Sequence, residues 1–368
     1  MKFVFLTSMR FPSYRPVYIY MKSMAIAFGK VLGKDFTFVT AGPIRDDFKG
    51  AQVISINSKE RFRAVFYFIY LPFFVIHKKY NNKNTVFFSP DPYLSVTLIF
   101  YRKIFRFKYK VFSDWHMLFG DWRDKYIAVN SNYLVSTTKK IKDILVKKTG
   151  VSPDKVLVSY GGVDVEIFKN TGESVSELRH RLSLPDGFLV GYVGFYKTMG
   201  MDKGVPTMIK SLTDIPDKNI KMVFVGGIDN KEIDEYKKIA KDLGVLDRTI
   251  FLLAVKTNQV PAYEQAMDML VIPYPDQPHF REYGFPMKIY EYMFSGKPII
   301  YSNLPIIDEM LFDCGVSFIP DDPKDLAKKI IDLNKDPQKI NNLSESAFQK
   351  VQGFTWEKRA ENIVNFAK

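Results

Sequence analysis

Cysteine is nearly absent from this chain of 368 residues: Cys314 stands alone, beside four histidines and three tryptophans. One cysteine excludes an internal disulfide framework and suits a reducing compartment. No apolar run reaches the ~20 residues that a helix needs to cross a bilayer. The nearest, AVFYFIYLPFFVI over Ala64–Ile76, has 13 residues and contains Pro72, a length that suits a buried or interfacial segment. The apolar part of the opening MKFVFLTSMRF is too short for a signal peptide and reads as a first strand. Internal repeats and low-complexity tracts are missing, as is any recognisable DNA- or RNA-binding motif, so nucleic acid is not expected as a partner. Acidic residues are scarce in one half only. Residues 1–190 hold 30 Lys+Arg against 15 Asp+Glu, a net +15, while residues 191–368 hold 23 against 25, a net −2. A basic first half points to an anionic partner such as a membrane surface. The alternative is compositional drift, since Lys, Phe, Ile, Tyr and Asn are all abundant.

What the chain does have is an alternation of short apolar strands with helical stretches, 46% hydrophobic residues and a length typical of two domains. Strands are predicted over Lys2–Leu6, Asp35–Thr40, Gln52–Ile56, Thr85–Phe88, Tyr109–Phe112, Asn132–Ser136 and Lys155–Tyr160 in the first half. The second half continues with Phe188–Gly194, Lys221–Val225, Thr249–Leu253, Met269–Pro273, Ile299–Ser302 and Val316–Pro320. Continuous apolar strands separated by helices mean parallel sheets buried on both faces. The expected division is residues 1–165, a linker over 166–187, a second domain over 188–352 and a terminal helix over 353–368 that crosses back to the first domain.

The most informative stretch is Arg281–Met310, REYGFPMKIYEYMFSGKPIIYSNLPIIDEM. Pro286 suits the first helical position. Met287–Phe294 has helical spacing with Ile289, Tyr292 and Met293 on one side, and Gly296 sits where a helix stops in a left-handed residue. The helix start offers unpaired N–H groups and partial positive charge, Lys288 adds a full charge, and Glu291 follows three residues on. Cations for a diphosphate beside a carboxylate for a ribose diol are what a nucleotide needs.

Here the sequence resembles the retaining glycosyltransferases of family 4, whose hallmark is Glu-x7-Glu in a pattern like E-G-F-P-x-x-x-x-E followed by G-x-P-V-I. Gly284-Phe285-Pro286, Glu291 and Gly296–Ile300 match. Tyr283 stands where the first Glu belongs, with Glu282 one residue earlier. The resemblance implies the GT-B fold, two Rossmann-like domains facing across a cleft, and transfer of a hexose from a nucleotide-sugar donor. It extends to Gly194 and the Lys203-Gly204 pair, where Lys203 matches a phosphate-clasping lysine and Phe195 replaces the usual arginine. Lys197 or Lys288 would compensate, although lysine lacks the bidentate fork. Gly226-Gly227 matches a glycine turn, and Val255 lies in the loop where the family packs its nucleotide base. The expected donor-binding set is Gly194, Lys197, Lys203, Gly226, Val255, Glu282, Tyr283, Gly284, Phe285, Pro286, Met287, Lys288 and Glu291, with Gly284, Phe285 and Pro286 turning their backbone to the sugar.

In the same way, Ser113-Asp114-Trp115-His116 resembles the strand end where the family places a histidine by the donor sugar, so His116, Lys203 and Glu291 carry the expected catalytic roles. The family shows no dedicated side-chain nucleophile. It usually has a Gly-Gly pair in the first loop, where this chain has Arg10 and Arg15, either phosphate-facing or solvated. Asp164-x-Glu166 mimics a metal-binding Asp-x-Asp, but the fold type handles the diphosphate without a metal, so no metal or cofactor is expected. Arg61–Lys79 and Tyr93–Lys110 interleave cations with aromatic residues, as an interfacial helix does. The alternative is two buried helices with basic outer faces. The acceptor expected is a glycan or lipid-linked glycan, in surface polysaccharide or glycoconjugate assembly, with the enzyme cytoplasmic and peripheral at the inner face of an anionic membrane. Three other readings stay open: a GT-B sugar-nucleotide epimerase, a nucleic-acid-binding protein, and a non-catalytic glycosyltransferase homologue suggested by Phe195 and Tyr283.

Overall fold

The computed structural model describes residues 1–10, 16–41, 47, 48, 50–56, 63–169 and 171–368. They form two compact units, Met1–Gly161 with Trp356–Lys368, and Gly162–Thr355. Arg15 and Arg61 lie outside the described residues.

The first unit is built on a parallel sheet of β1 (Lys2–Arg10), β2 (Phe36–Ala41), β3 (Gln52–Ile56), β4 (Thr85–Ser89), β5 (Lys110–Trp115), β6 (Tyr133–Ser136) and β7 (Val156–Val158), in the order β3-β2-β1-β4-β5-β6-β7. Helices cover the central strands, and Phe3 to Leu6 of β1 are wholly buried. Aromatic rings fill this core: Phe28 on the helix Pro16–Leu32 meets Phe3 with ring centroids 4.7 Å apart and Phe88 at 5.3 Å, and Phe5 meets Phe38 at 5.1 Å. Such pairs add about 0.5–1.5 kcal/mol beyond the area they bury. The terminal helix Trp356–Ala367 packs against the Pro16–Leu32 helix within this unit, with Lys30 paired to Glu357 at 2.5 Å.

In the second unit, β8 (Phe188–Val193) is followed by a two-stranded hairpin of β9 (Lys197–Thr198) and β10 (Met201–Asp202). Then come β11 (Ile220–Gly227), β12 (Thr249–Leu253), β13 (Met269–Ile272), β14 (Ile299–Ser302) and β15 (Val316–Phe318). The six long strands pair in the order β12-β11-β8-β13-β14-β15, every ladder parallel. Their carboxyl ends therefore share one edge, and the strand order reverses between β8 and β13, the crevice where ligands enter such sheets. The stretch read as a linker is not extended. It holds the helices Val165–Phe168 and Val175–Arg181 and clusters with the second unit. A capping box between Ser174 and Glu177 starts the second of these. Arg179 fastens it by donating to the carbonyls of Ala266 and Gly187 and to Asp268 at 2.6–3.0 Å.

Phe28 meets four core rings, those of Phe3, Phe5, Phe36 and Phe88, so Phe28→Ala removes more than a ring's worth of transfer free energy. We expect the first unit to lose about 3–5 kcal/mol, read as an earlier denaturant midpoint of that unit. A loss below about 1 kcal/mol would mean that this core closes over the void.

Candidate active site

At the edge where β8 and β11 end, two glycine turns touch. Gly194 follows β8 with φ +141° and donates to Val225 O at 2.7 Å, and Gly226 has φ +145°. A Cβ on Gly226 would stand 2.1 Å from Gly194 O, and one on Gly194 would stand 2.3 Å from Lys288 Nζ. Both positions need glycine on conformational and on steric grounds. The vacancy at Gly194 lets the Lys288 ammonium reach β8, where it donates to Val193 O at 2.9 Å and lies 3.8 Å from the Tyr192 ring centroid. Tyr292, one turn along the same helix, accepts Val193 N–H at 2.8 Å. That helix, Lys288–Phe294, begins one residue later than its spacing predicts. Ile289 and Tyr290 donate three residues back, to Pro286 and Met287 at 3.1 Å, so the entry turn is tight. Gly296 ends the segment at φ +70°, as its position predicts.

Lys203 arrives from the hairpin after β8. Its N–H donates to Tyr196 O at 2.9 Å, and the preceding Asp202 caps the next turn by accepting from Gly204 and Val205 at 2.6 and 3.0 Å, with the Tyr236 hydroxyl on its other oxygen. Burial pushes the Lys203 amine down to about 8 against the opposing pull of Glu291. Burial and the like charge of Lys203 push Lys288 well below the ordinary lysine range. Burial raises the Glu291 carboxyl to about 7, Lys288 and Lys203 opposing. A fourth member was invisible in the sequence. Glu264, on the helix Val260–Ala266, is completely buried, neither of its carboxyl oxygens meets a protein donor, and burial together with Glu291 holds it protonated well above the usual range. A glutamate in an amphipathic helix reads as a solvated face, so no signal marked it.

The arrangement is a set of two lysines and two carboxyls whose charges are suppressed by burial. An entering polyanion would favour the ammonium forms of both lysines.

The other predicted residues divide. Val255 is half-buried just beyond β12, on the same edge. Lys197 is ion-paired with Glu235 at 2.8 Å and lies over Tyr236, which commits its charge elsewhere. Phe195 is 37% exposed and offers no charge in the arginine position. Glu282 ends a short helix, Pro278–Glu282, and Tyr283 follows it, both half-buried. The N–H groups of Gly284 and Phe285 are engaged inside the loop, by His279 O at 2.6 Å and Tyr283 O at 2.8 Å. Phe285 packs on Tyr290 with centroids 5.6 Å apart, Pro286 is buried and Met287 half-buried.

In the first unit His116 follows β5. Its Nε2 lies 3.0 Å from Asp114 Oδ2, and its ring meets Tyr20 edge-on at 4.5 Å. Asp164 caps the helix Val165–Phe168 by accepting from Glu166 and Ile167 N–H. Among the described residues no group of three or more His, Cys, Asp or Glu is placed to hold a metal ion.

Two doubly wound parallel sheets, one with a glycine-lined, lysine-bearing strand edge, define a protein of the GT-B class. Residues 186–350 match the family described as Glycosyl transferases group 1. The D-inositol 3-phosphate glycosyltransferase of Corynebacterium aurimucosum is 25% identical over 253 residues, 66% of this chain and 58% of that protein. The match thus spans less than two thirds of that curated relative's length. Among solved structures, a glycosyltransferase from Rickettsia africae superposes with a TM-score of 0.82 at 15% identity, covering 100% of this chain and 97% of its own. Anabaena HepE in complex with UDP gives 0.78 at 17% identity, covering 99% of each chain. The GT-B fold and the family resemblance read from the sequence are borne out.

The suppressed charges carry a signature in the empty protein. The folded chain holds the Glu291 proton more tightly than the unfolded chain, so this group's contribution to stability falls as pH rises from about 4.5 to about 7. Lys203 acts in the other direction, its contribution rising from about pH 8 to about 10.5. In calorimetry of the wild type and Glu291→Gln between about pH 4 and 8, the decline belonging to Glu291 should vanish in the variant. Parallel pH profiles would show that Glu291 titrates normally.

Proposed function

We propose that the protein is a retaining, metal-independent glycosyltransferase that moves a hexose from a nucleotide-sugar donor to a glycan or lipid-linked glycan. The observation that carries this is the Lys203–Lys288–Glu291 set at the carboxyl edge of a group 1 unit; the UDP complex of a protein sharing the fold supports a nucleotide donor. In the reaction the bond from the anomeric carbon to the diphosphate breaks and its electron pair leaves with the diphosphate. An acceptor hydroxyl bonds to the same carbon on the same face, and its proton passes to the departing phosphate oxygen. Lys203 and Lys288 stabilise that growing negative charge and Glu291 holds the ribose hydroxyls, while His116 keeps the sugar-contact role that the family resemblance implies. Lys288 rather than Lys197 takes the place of the missing arginine, because Lys197 is spent on Glu235.

A donor present at 100 times its dissociation constant should add about 2.7 kcal/mol to the stability of the protein. We expect one nucleotide sugar of a panel to shift the melting temperature in the wild type and not in Glu291→Ala. Lys203→Ala should lower kcat about 10²–10³-fold, the loss that follows removal of one preorganised charge partner. Release of nucleoside diphosphate only in the presence of acceptor separates transfer from epimerisation. A panel without any shift would leave the fold but remove the enzyme.

The proposed partner of the first unit is an anionic membrane surface at the cytoplasmic face, with a role in surface polysaccharide or glycoconjugate assembly. The supporting observation is on the helix Arg63–His77, where Val65, Ile69, Phe73 and Ile76 form one outward row, 59–67% exposed. The neighbouring helix Pro92–Ile104 adds exposed Ile104, and exposed Phe105 follows it. The outer face is thus apolar, with Lys78, Lys79, Lys103 and Arg106 nearby in the chain, rather than the basic face of an ordinary covering helix. No helix of the described residues is long and apolar enough to cross a membrane. Burial of each large side chain is worth about 1.5–3 kcal/mol, so Ile69→Glu with Phe73→Glu should weaken binding to anionic vesicles at least about 100-fold. Equal sedimentation of variant and wild type at low salt would remove this partner.

A further inference from the structure

The first unit contains a charged group that the sequence did not connect to anything. Asp114, the next-to-last residue of β5, has a side chain with no exposure to solvent. Its Oδ1 accepts from Arg359 Nη2 at 3.0 Å, and Arg359, on the terminal helix, is 1% exposed. The guanidinium is itself held in place, its Nη1 donating to Tyr160 O at 3.1 Å and its Cζ lying 5.8 Å from the Tyr20 ring centroid. The other carboxylate oxygen, Oδ2, accepts from the Tyr20 hydroxyl and from His116 Nε2 at 3.0 Å. Tyr20 is wedged between the His116 ring, at 4.5 Å, and Trp356 of the terminal helix, at 5.8 Å. Of the charged or titratable groups in this chain of contacts only His116 reaches solvent, its side chain 37% exposed.

Burial pushes the Asp114 carboxyl up, but the charges and hydrogen bonds of His116, Arg359 and Tyr20 outweigh it and hold the group ionised, below the usual range. An ionised carboxylate only accepts, so in the neutral form of the ring the proton of His116 lies on Nε2 and Nδ1 is the lone-pair nitrogen. A carboxylate that fixes an imidazole needs its own charge and orientation fixed, and the guanidinium supplies both with a directional bond from a buried site.

We propose that Arg359 is a positioning residue for His116: acting through Asp114, the terminal helix sets the tautomer and the tilt of the imidazole at the carboxyl end of the first sheet. A ligand hydroxyl would then donate to Nδ1 without any reorganisation of the ring. The part of the proposal that concerns catalysis rests on the glycosyltransferase reading above, and the part that concerns the tautomer does not. Buried ion pairs often stabilise a fold no more than well-packed apolar side chains do, so stability alone does not account for spending an arginine and an aspartate here.

The test separates the two parts. Nitrogen-15 NMR of the full chain without ligand should show a pyrrole-type Nε2 and a pyridine-type Nδ1 for His116 in the wild type. Arg359→Met should give mixed tautomers, and Arg359→Lys, which keeps the charge, should restore most of the wild-type pattern. In transfer assays Arg359→Met should lower kcat about 100-fold, the scale of a misplaced contact group, with the KM for the donor nearly unchanged, and Arg359→Lys should recover most of it. Should Arg359→Met fail to fold because Asp114 is left unpaired, the double variant Asp114→Leu with Arg359→Leu removes both charges. It should fold, show mixed His116 tautomers and keep the kcat defect. A His116 spectrum identical in the wild type and the charge-free variant overturns the proposal, whether or not transfer is ever observed. Transfer at the wild-type kcat by the charge-free variant overturns it equally.

Discussion

A carboxylate shut away from water must have its charge and its lone pairs met by the protein, because an unpaired buried ion costs several kcal/mol. Asp114 imposes that demand on the first unit. The partners that meet it come from the Pro16–Leu32 helix, from the turn after β5 and from the last helix of the chain. The terminal helix therefore completes the first unit with the Arg359 charge as well as an apolar face, which Trp356, Ile363 and Val364 bury against it. The same carboxylate reaches solvent only through His116, so the constraint that closes the core also decides how the strand end presents its imidazole.

The second unit solves the opposite problem. Lys288 is buried with a backbone carbonyl and a ring as its partners, Glu264 is buried with no donor on either carboxyl oxygen, and burial disfavours the charged form of both. On the proposed function, a polyanion entering such a cluster would favour the charged forms of its lysines. The glycines at 194 and 226 make this possible, since any side chain at either place would collide with Lys288 or with the opposing backbone. Small residues at the strand ends and a long cation behind them form one device.

Much of this was legible in the sequence. The parallel strands were readable because strands buried on both faces need unbroken apolar runs such as FVFL and FLVGYV. Lys203, Lys288 and Glu291 were readable because a turn, a proline-started helix and a left-handed glycine bracket them closely along the chain. The hidden partners were of another kind. Glu264 lies 27 positions before Glu291, and Arg359 lies 245 positions from Asp114. Nothing in local spacing tells a solvated Glu or Arg of an amphipathic helix from one that a distant element will cover. Lys197 shows the same limit: its charge is visible in the sequence, while its pairing with Glu235 arises only when the hairpin and a later helix meet.

By itself, then, the sequence determined the class of fold, the strand edges where the glycines and lysines gather and the residues lying within a few positions of a turn signal, because those depend on backbone preference and apolar periodicity. Only the tertiary structure decided which lysine faces the candidate site, that Asp114 is neutralised by the far end of the chain, and that the outer face of the Arg63–His77 helix is apolar. Those outcomes depend on burial, and burial is a property of what the rest of the chain leaves uncovered.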